Sequence, residues 1–233
     1  MSEYLRKITE CLTRIETEEA EALAACSRMV ADTLKNDGLI FVFGCGHSHL
    51  IGLDTFYRAG GLACVSPILD TDLMLHNGAA KSSRMEKMPG IAKEVLRRYT
   101  PTENDMIFIF SASGKNRVPI EMAIAAKEYN LRCVTVCSKE YESHGGELGK
   151  YGDINVDCKV PYGDACIDVG AGTMGGLSTA AGCFILNSAL INGARLAHSE
   201  GFEVPIYLSG NIEGGREHNI TLENAYLGRV KHL

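Results

Sequence analysis

Apolar and polar positions fall along this chain in two kinds of block. From about Tyr4 to Lys35 they follow helical spacing, with Ile8, Leu12, Ile15, Ala22, Leu23, Met29 and Val30 on one stripe. That stripe must be covered, either by a sheet of the same chain or by a second subunit. Asn36-Asp37-Gly38 marks a turn. Residues 39–43, 62–66, 105–110, 132–137 and 153–156 are short runs rich in apolar residues with little polar alternation, which reads as buried strands. Residues 50–59, 91–99, 118–129 and 173–196 read as helices, and 67–89 is polar and flexible with no clear strand. Strands alternating with helices predict a doubly wound parallel sheet with right-handed crossovers. No repeat, low-complexity tract or linker divides the chain. It reads as one domain over 1–233, with an N-terminal helix (4–35), a core (38–197) and a C-terminal tail (198–233).

Two strand-to-helix junctions stand out. The run Met106-Ile-Phe-Ile-Phe110 ends in Ser111-Ala-Ser113-Gly114-Lys115-Asn116, just before a helix. A helix start there offers free backbone N–H groups and the positive end of a dipole. Ser111 and Ser113 add hydroxyl donors, and Gly114 permits close backbone approach. The set forms a cradle for a dianionic phosphate; the plainer alternative is a serine-rich turn with Asn116 as helix cap. A second junction has the same design: Leu39-Ile-Phe-Val-Phe43 runs into Gly44-Cys45-Gly46-His47-Ser48-His49. Two such loops in one chain point to a phosphorylated small molecule gripped at the carboxyl edge of a parallel sheet.

Composition narrows the classes. The chain has 233 residues, enough for one large α/β domain, and a net charge of −6, which argues against nucleic acid as a partner. No apolar run reads as a membrane span, and Met1-Ser-Glu-Tyr-Leu-Arg-Lys does not read as a signal peptide. The nine cysteines lie scattered in apolar contexts without a Cys-x-x-Cys pair, as in a reduced cytoplasmic protein. Cys45 is the exception, set in a glycine loop near a helix start, where a thiolate is favoured; the plainer reading is a small residue in a tight turn.

The Ser111-Ala-Ser113-Gly114 loop, together with Gly44-Cys45-Gly46-His47-Ser48, resembles the sugar isomerase (SIS) domain family of phosphosugar-binding proteins over roughly residues 18–191. The family usually carries Thr or Ser where Asn116 stands, so one hydroxyl contact becomes an amide contact. The block Phe56-Tyr-Arg-Ala-Gly-Gly61 and the ending Gly228-Arg-Val-Lys-His-Leu233 look like a small bacterial subgroup in which dehydration of N-acetylglucosamine 6-phosphate is one suggested activity. The resemblance implies a three-layer α/β/α sandwich, a five-stranded parallel sheet in the order 2-1-3-4-5, and a homodimer or homotetramer. It also implies phosphosugar contacts from Gly44, Gly46, His47, Ser48, Ser111, Ser113, Gly114 and Asn116. The helix-entrance segment around Gly172 and Thr173 is similar to one whose backbone helps hold the sugar.

Other patterns carry less. Gly170-Ala-Gly172-Thr-Met-Gly175 matches G-x-G-x-x-G but lacks the following strand and acidic residue of a dinucleotide site. His47 and His49 could share a metal. The phosphoheptose isomerases of the family, however, use a His-x-x-x-Glu pair where this chain has Asp54 and Arg58. No metal and no organic cofactor is expected. Sugar chemistry beside a carbonyl still needs a base for a carbon-bound proton, and a carboxylate in a partly dry pocket suits it. Glu86 is the first candidate, in a location broadly similar to a glutamate of the family's sugar-acid etherases; the alternative is a solvated Glu paired with Arg84 or Lys87. Asp54, Asp70, Asp72 and Asp168 follow. His76 is the candidate acid for a leaving hydroxyl. The expected function is dehydration of an amino-sugar 6-phosphate, with aldose–ketose isomerisation or non-catalytic sensing as alternatives.

Overall fold

A computed structural model describes all 233 residues. Two helices open the chain, α1 (Glu3–Glu18) and α2 (Ala20–Lys35), where the periodicity predicts one. The break falls at Glu19, whose backbone leaves helical geometry (φ −111°, ψ 19°). Its side chain instead joins a buried charge cluster. Lys159 Nζ lies 2.6 Å from Glu19, 3.0 Å from Asp157 and 3.1 Å from Glu18. The stripe does not need a second subunit: Ile15 is fully buried in the chain's own core, and Ile8 and Leu12 pack against it.

The strands are β1 (Ile40–Gly44), β2 (Val65–Ile68), β3 (Met106–Phe110), β4 (Arg132–Cys137) and β5 (Ile154–Asp157). They form one parallel sheet in the order β2-β1-β3-β4-β5. Its central strands are buried on both faces, which is why β1 and β3 read as unbroken apolar runs. One face is covered by α5 (Ile91–Arg97) and α6 (Arg117–Glu128); the other by α2, α3 (His49–Thr55) and α7 (Ser178–Ser199). The result is the three-layer sandwich expected.

Three differences from the sequence reading have physical causes. The polar stretch before β3 holds a short helix, α4 (Ala79–Met85), which starts after Gly78 at φ +112°. The glycine motif is not the start of the last helix. Gly170 and Gly172 lie in the turn of an antiparallel ribbon, β6 (Ala165–Asp168) with β7 (Thr173–Gly176), and α7 begins only at Ser178. The Asp164 carboxylate caps it, accepting from Leu177 N–H (2.9 Å), Ser178 N–H (2.8 Å) and the Ser178 hydroxyl (2.8 Å). Residues 198–233 are an integral part of the domain, not a loose tail. They carry α8 (Gly215–Tyr226), bury Tyr207, Tyr226 and Val230, and bridge Ile206 to Leu62. By length and composition α7 meets the criterion for a membrane span, yet its Ala181, Ile185, Leu186 and Ala189 are fully buried in the core.

Candidate functional site

The register of the sheet sets Gly44 beside Phe110, so the chain leaves β1 and β3 at adjacent points of the same edge. The two glycine–serine loops therefore start side by side. A Cβ on Gly44 would stand 2.5–2.6 Å from Ser48, so the turn closes only around glycine. Ser48 N–H donates back to the Cys45 carbonyl at 3.0 Å, while the N–H groups of Cys45, Gly46 and His47 donate to no atom of the chain. Ser48 is half-buried and His47 exposed. The helix that follows is shorter than expected, ending at Thr55, so the open amides matter more here than a dipole.

The second loop is held from below. Ser111 N–H donates to Val136 O (3.0 Å), Ser138 N–H to Ala112 O (2.9 Å), and both Glu147 and Leu148 N–H to Gly114 O (2.9 and 3.1 Å). Gly114 has φ +57°, a left-handed conformation that suits glycine. Above, the N–H groups of Ala112, Ser113, Asn116 and Arg117 have no acceptor in the chain. The Ser113 hydroxyl only accepts a long bond from Lys115 N–H, at 3.5 Å. A concave row of unspent donors at the start of a three-turn helix is suited to an anion. Beside Ser113 lies a cavity of about 140 Å³, lined also by Ser138, Glu142, Lys150 and Asn155. This support from the segment after β4 escaped the sequence reading; its Gly145-Gly146 pair was the available signal.

Both candidate proton-moving residues come to these loops. Glu86 ends α4, and its carbonyl accepts from Val118 N–H of α6 at 3.0 Å. Burial pushes its carboxyl above the ordinary carboxylate value, while the Asn116 side-chain amide and the charge of Lys87 pull it back. Glu86 is half-buried, and no Lys or Arg stands within ion-pair distance of it. Each rival acid is engaged elsewhere. Asp54 is paired with Arg58 at 2.6 Å, Asp70 with Arg98 at 3.2 Å, Asp72 with Lys81 at 2.9 Å, and Asp168 accepts from Gly170 N–H at 2.8 Å. His76 is exposed, and its ring meets His49 edge-on, 5.8 Å between centroids. His49 is buried and its Nδ1–H donates to the Gly46 carbonyl, which ties His76 to the first loop.

Other expectations are corrected. Cys45 is buried, and desolvation, with the charges of Glu86 and Asp70, raises its thiol far above the ordinary value, which disfavours a thiolate in the loop. Gly172 and Thr173 are exposed on the ribbon, and no hydrogen bond joins them to either loop. A larger groove, about 1020 Å³, lies elsewhere: it is lined by Thr55, Leu62, Leu190, Arg195 and Phe202 among others, toward the amino edge of the sheet.

Comparison with known proteins bears on the family and the fold. The model of the SIS domain matches residues 3–138. A UPF0309 protein of Thermoanaerobacter pseudethanolicus is 38% identical over 244 aligned residues, covering 99% of each chain. One from Geobacillus kaustophilus is 36% identical over 100% of this chain and 96% of its own. Among solved structures, the phosphoheptose isomerase GmhA of Neisseria gonorrhoeae superposes with TM-score 0.57 at 15% identity, covering 81% of this chain and 94% of that one. The Vibrio vulnificus NanR protein complexed with ManNAc-6P superposes with TM-score 0.51 at 14% identity, over 99% of this chain and 68% of that one. At such identities the structures share the fold.

Proposed function

The chain belongs to the SIS domain family, with UPF0309 proteins as its near relatives, and from that premise we propose that it binds an amino-sugar 6-phosphate, such as N-acetylglucosamine 6-phosphate, and removes water from it. The observation that carries the reading is the row of unspent donors at Ser113, Asn116 and Arg117, with the unpaired, half-buried Glu86 beside it. Ser111, Ser113, Asn116 and Ser48 bind the phosphate, with the amides around Gly44, Gly46, His47 and Gly114 completing the cradle. The open-chain sugar presents a carbonyl, and Glu86 removes the proton from the adjacent carbon. The electron pair forms a carbon–carbon double bond as the next hydroxyl leaves, and His76 supplies the proton that makes it water. The scheme needs no metal and no organic cofactor. A reduced cytoplasmic setting is supported by nine free cysteines.

Aldose–ketose isomerisation is the second reading, favoured by a fold neighbour that is a phosphoheptose isomerase. It uses the same cradle and the same base, but the proton returns to a neighbouring carbon and no water leaves. Product analysis after incubation with N-acetylglucosamine 6-phosphate and, separately, with a 2-hydroxy aldose 6-phosphate separates them, because only a sugar with a hydroxyl beside its carbonyl can become a ketose. Dehydration yields an unsaturated, ultraviolet-absorbing sugar; isomerisation does not. Clear binding with no turnover of any amino-sugar phosphate would instead make the protein a sensor.

A further inference from the structure

Asn116 occupies the N-cap position of α6, yet its side chain makes no cap hydrogen bond. An N-cap side chain normally accepts from the N–H two or three residues on. Three residues on is Pro119, which has no N–H. Two residues on is Val118, whose N–H is already taken by the Glu86 carbonyl at 3.0 Å. The Asn116 side chain is thereby released from capping. The Val118 bond fastens the Glu86 backbone to this same turn, and the Asn116 amide favours the charged form of the Glu86 carboxyl. The same turn leaves the N–H groups of Asn116 and Arg117 unspent. One helix start thus holds a carboxylate on one side and faces the phosphate cradle on the other.

We propose that Asn116 couples the two: a phosphate ester on the loop competes for the Asn116 amide and sets its own charge near Glu86, so that occupancy makes Glu86 a stronger base. The inference rests on the phosphosugar reading and adds a reason for an amide, rather than a hydroxyl, at this position. An amide has two N–H bonds and can face two anions, whereas a hydroxyl has one. Two anions in one site oppose each other's ionisation. Other titratable groups come from the elements packed against α4: His76 on the turn at 75–77 and His47 on the first loop. Arg84 and Lys87 lie on Glu86's own segment, and on the first loop the Cys45 thiol, itself buried, feels the Glu86 charge. From α6, Arg117 is committed to Glu121 at 2.8 Å, and Lys115 on the loop is exposed. A base that strengthens only when substrate is bound is matched to work near neutral pH.

Calorimetric titration with N-acetylglucosamine 6-phosphate at about pH 6, in two buffers of different ionisation enthalpy, reads the protons exchanged on binding. The ligand's own phosphate titrates in every variant alike. The wild-type protein takes up more protons per ligand bound than Glu86→Gln. Asn116→Thr falls between them, because its Glu86 has lost the amide before the ligand arrives. Equal uptake by wild type and Glu86→Gln overturns the coupling and leaves the cradle standing. If neither protein binds the probe, the phosphosugar reading fails and the coupling fails with it.

Discussion

Ser113 contributes little to the fold: its hydroxyl accepts one 3.5 Å bond within its own loop. A hydrogen bond from that hydroxyl to a charged phosphate is worth about 1.5–3 kcal/mol. Ser113→Ala should therefore weaken binding of the sugar phosphate roughly tenfold to a hundredfold while the melting temperature hardly moves; calorimetry and thermal unfolding check both. Glu86 has the opposite profile. Its ionised form is disfavoured by burial, so its folded-state pKa lies above the unfolded one. The sign follows: as pH rises past the unfolded-state value of about 4.3, ionising Glu86 costs stability. Glu86→Gln should raise the melting temperature slightly at neutral pH and not below about pH 4. The same variant should lose about a hundredfold to ten-thousandfold in turnover while binding substrate within a few-fold. Full activity in Glu86→Gln would move the base elsewhere.

At the level of elements, glycine geometry and buried charge decide what moves and what holds. Gly114 combines φ +57° with a Cβ position 3.2 Å from Leu148 Cβ. Gly114→Ala should cost about 1–2 kcal/mol in unfolding experiments and should also weaken sugar-phosphate binding. Just past the carboxyl end of β5, burial works against the Lys159 charge. Its contacts with Glu19, Asp157 and Glu18 outweigh that and hold the ammonium above its usual value. Its contribution is thus fully present below about pH 10.4 and lost only as pH rises through the higher folded-state value. Lys159→Met strands the buried Glu19 and Asp157 carboxylates and should cost about 3–5 kcal/mol at neutral pH, read by denaturant unfolding. The local pattern disclosed β1, β3 and β4 because their residues are buried on both faces. It hid the break at Glu19, which is set by Lys159, a partner 140 residues away. It hid the β6–β7 ribbon for a related reason: glycines at φ +79° and +144° shape a turn, and no apolar alternation marks strands this exposed.

Across the whole molecule, the sheet order and the pairing of the two loops follow from topology, and the order came from family likeness rather than periodicity. The loops themselves were legible because strand, glycine and hydroxyl are contiguous in sequence. What joins Glu86 to Asn116, and His76 to His49, is contact across elements, which no local pattern carries. Assembly is likewise a property of the whole. The inferred stripe of α1 is covered by its own core, but Leu50, Leu53, Tyr57, Ile191 and Ile206 remain exposed on or near α3 and α7. Such apolar surface is available for a second copy, and light scattering at micromolar concentration should find at least a homodimer; a stable monomer would contradict that proposal. The central claim is narrower and can be tested directly by a crystal structure of the protein with N-acetylglucosamine 6-phosphate. The account predicts the phosphate within hydrogen-bonding distance of the Ser113 hydroxyl and the Asn116 and Arg117 N–H groups, with the sugar carbons turned toward Glu86. Phosphate bound instead in the groove between Leu62, Leu190 and Phe202, or no bound sugar phosphate at saturating concentration, would contradict it.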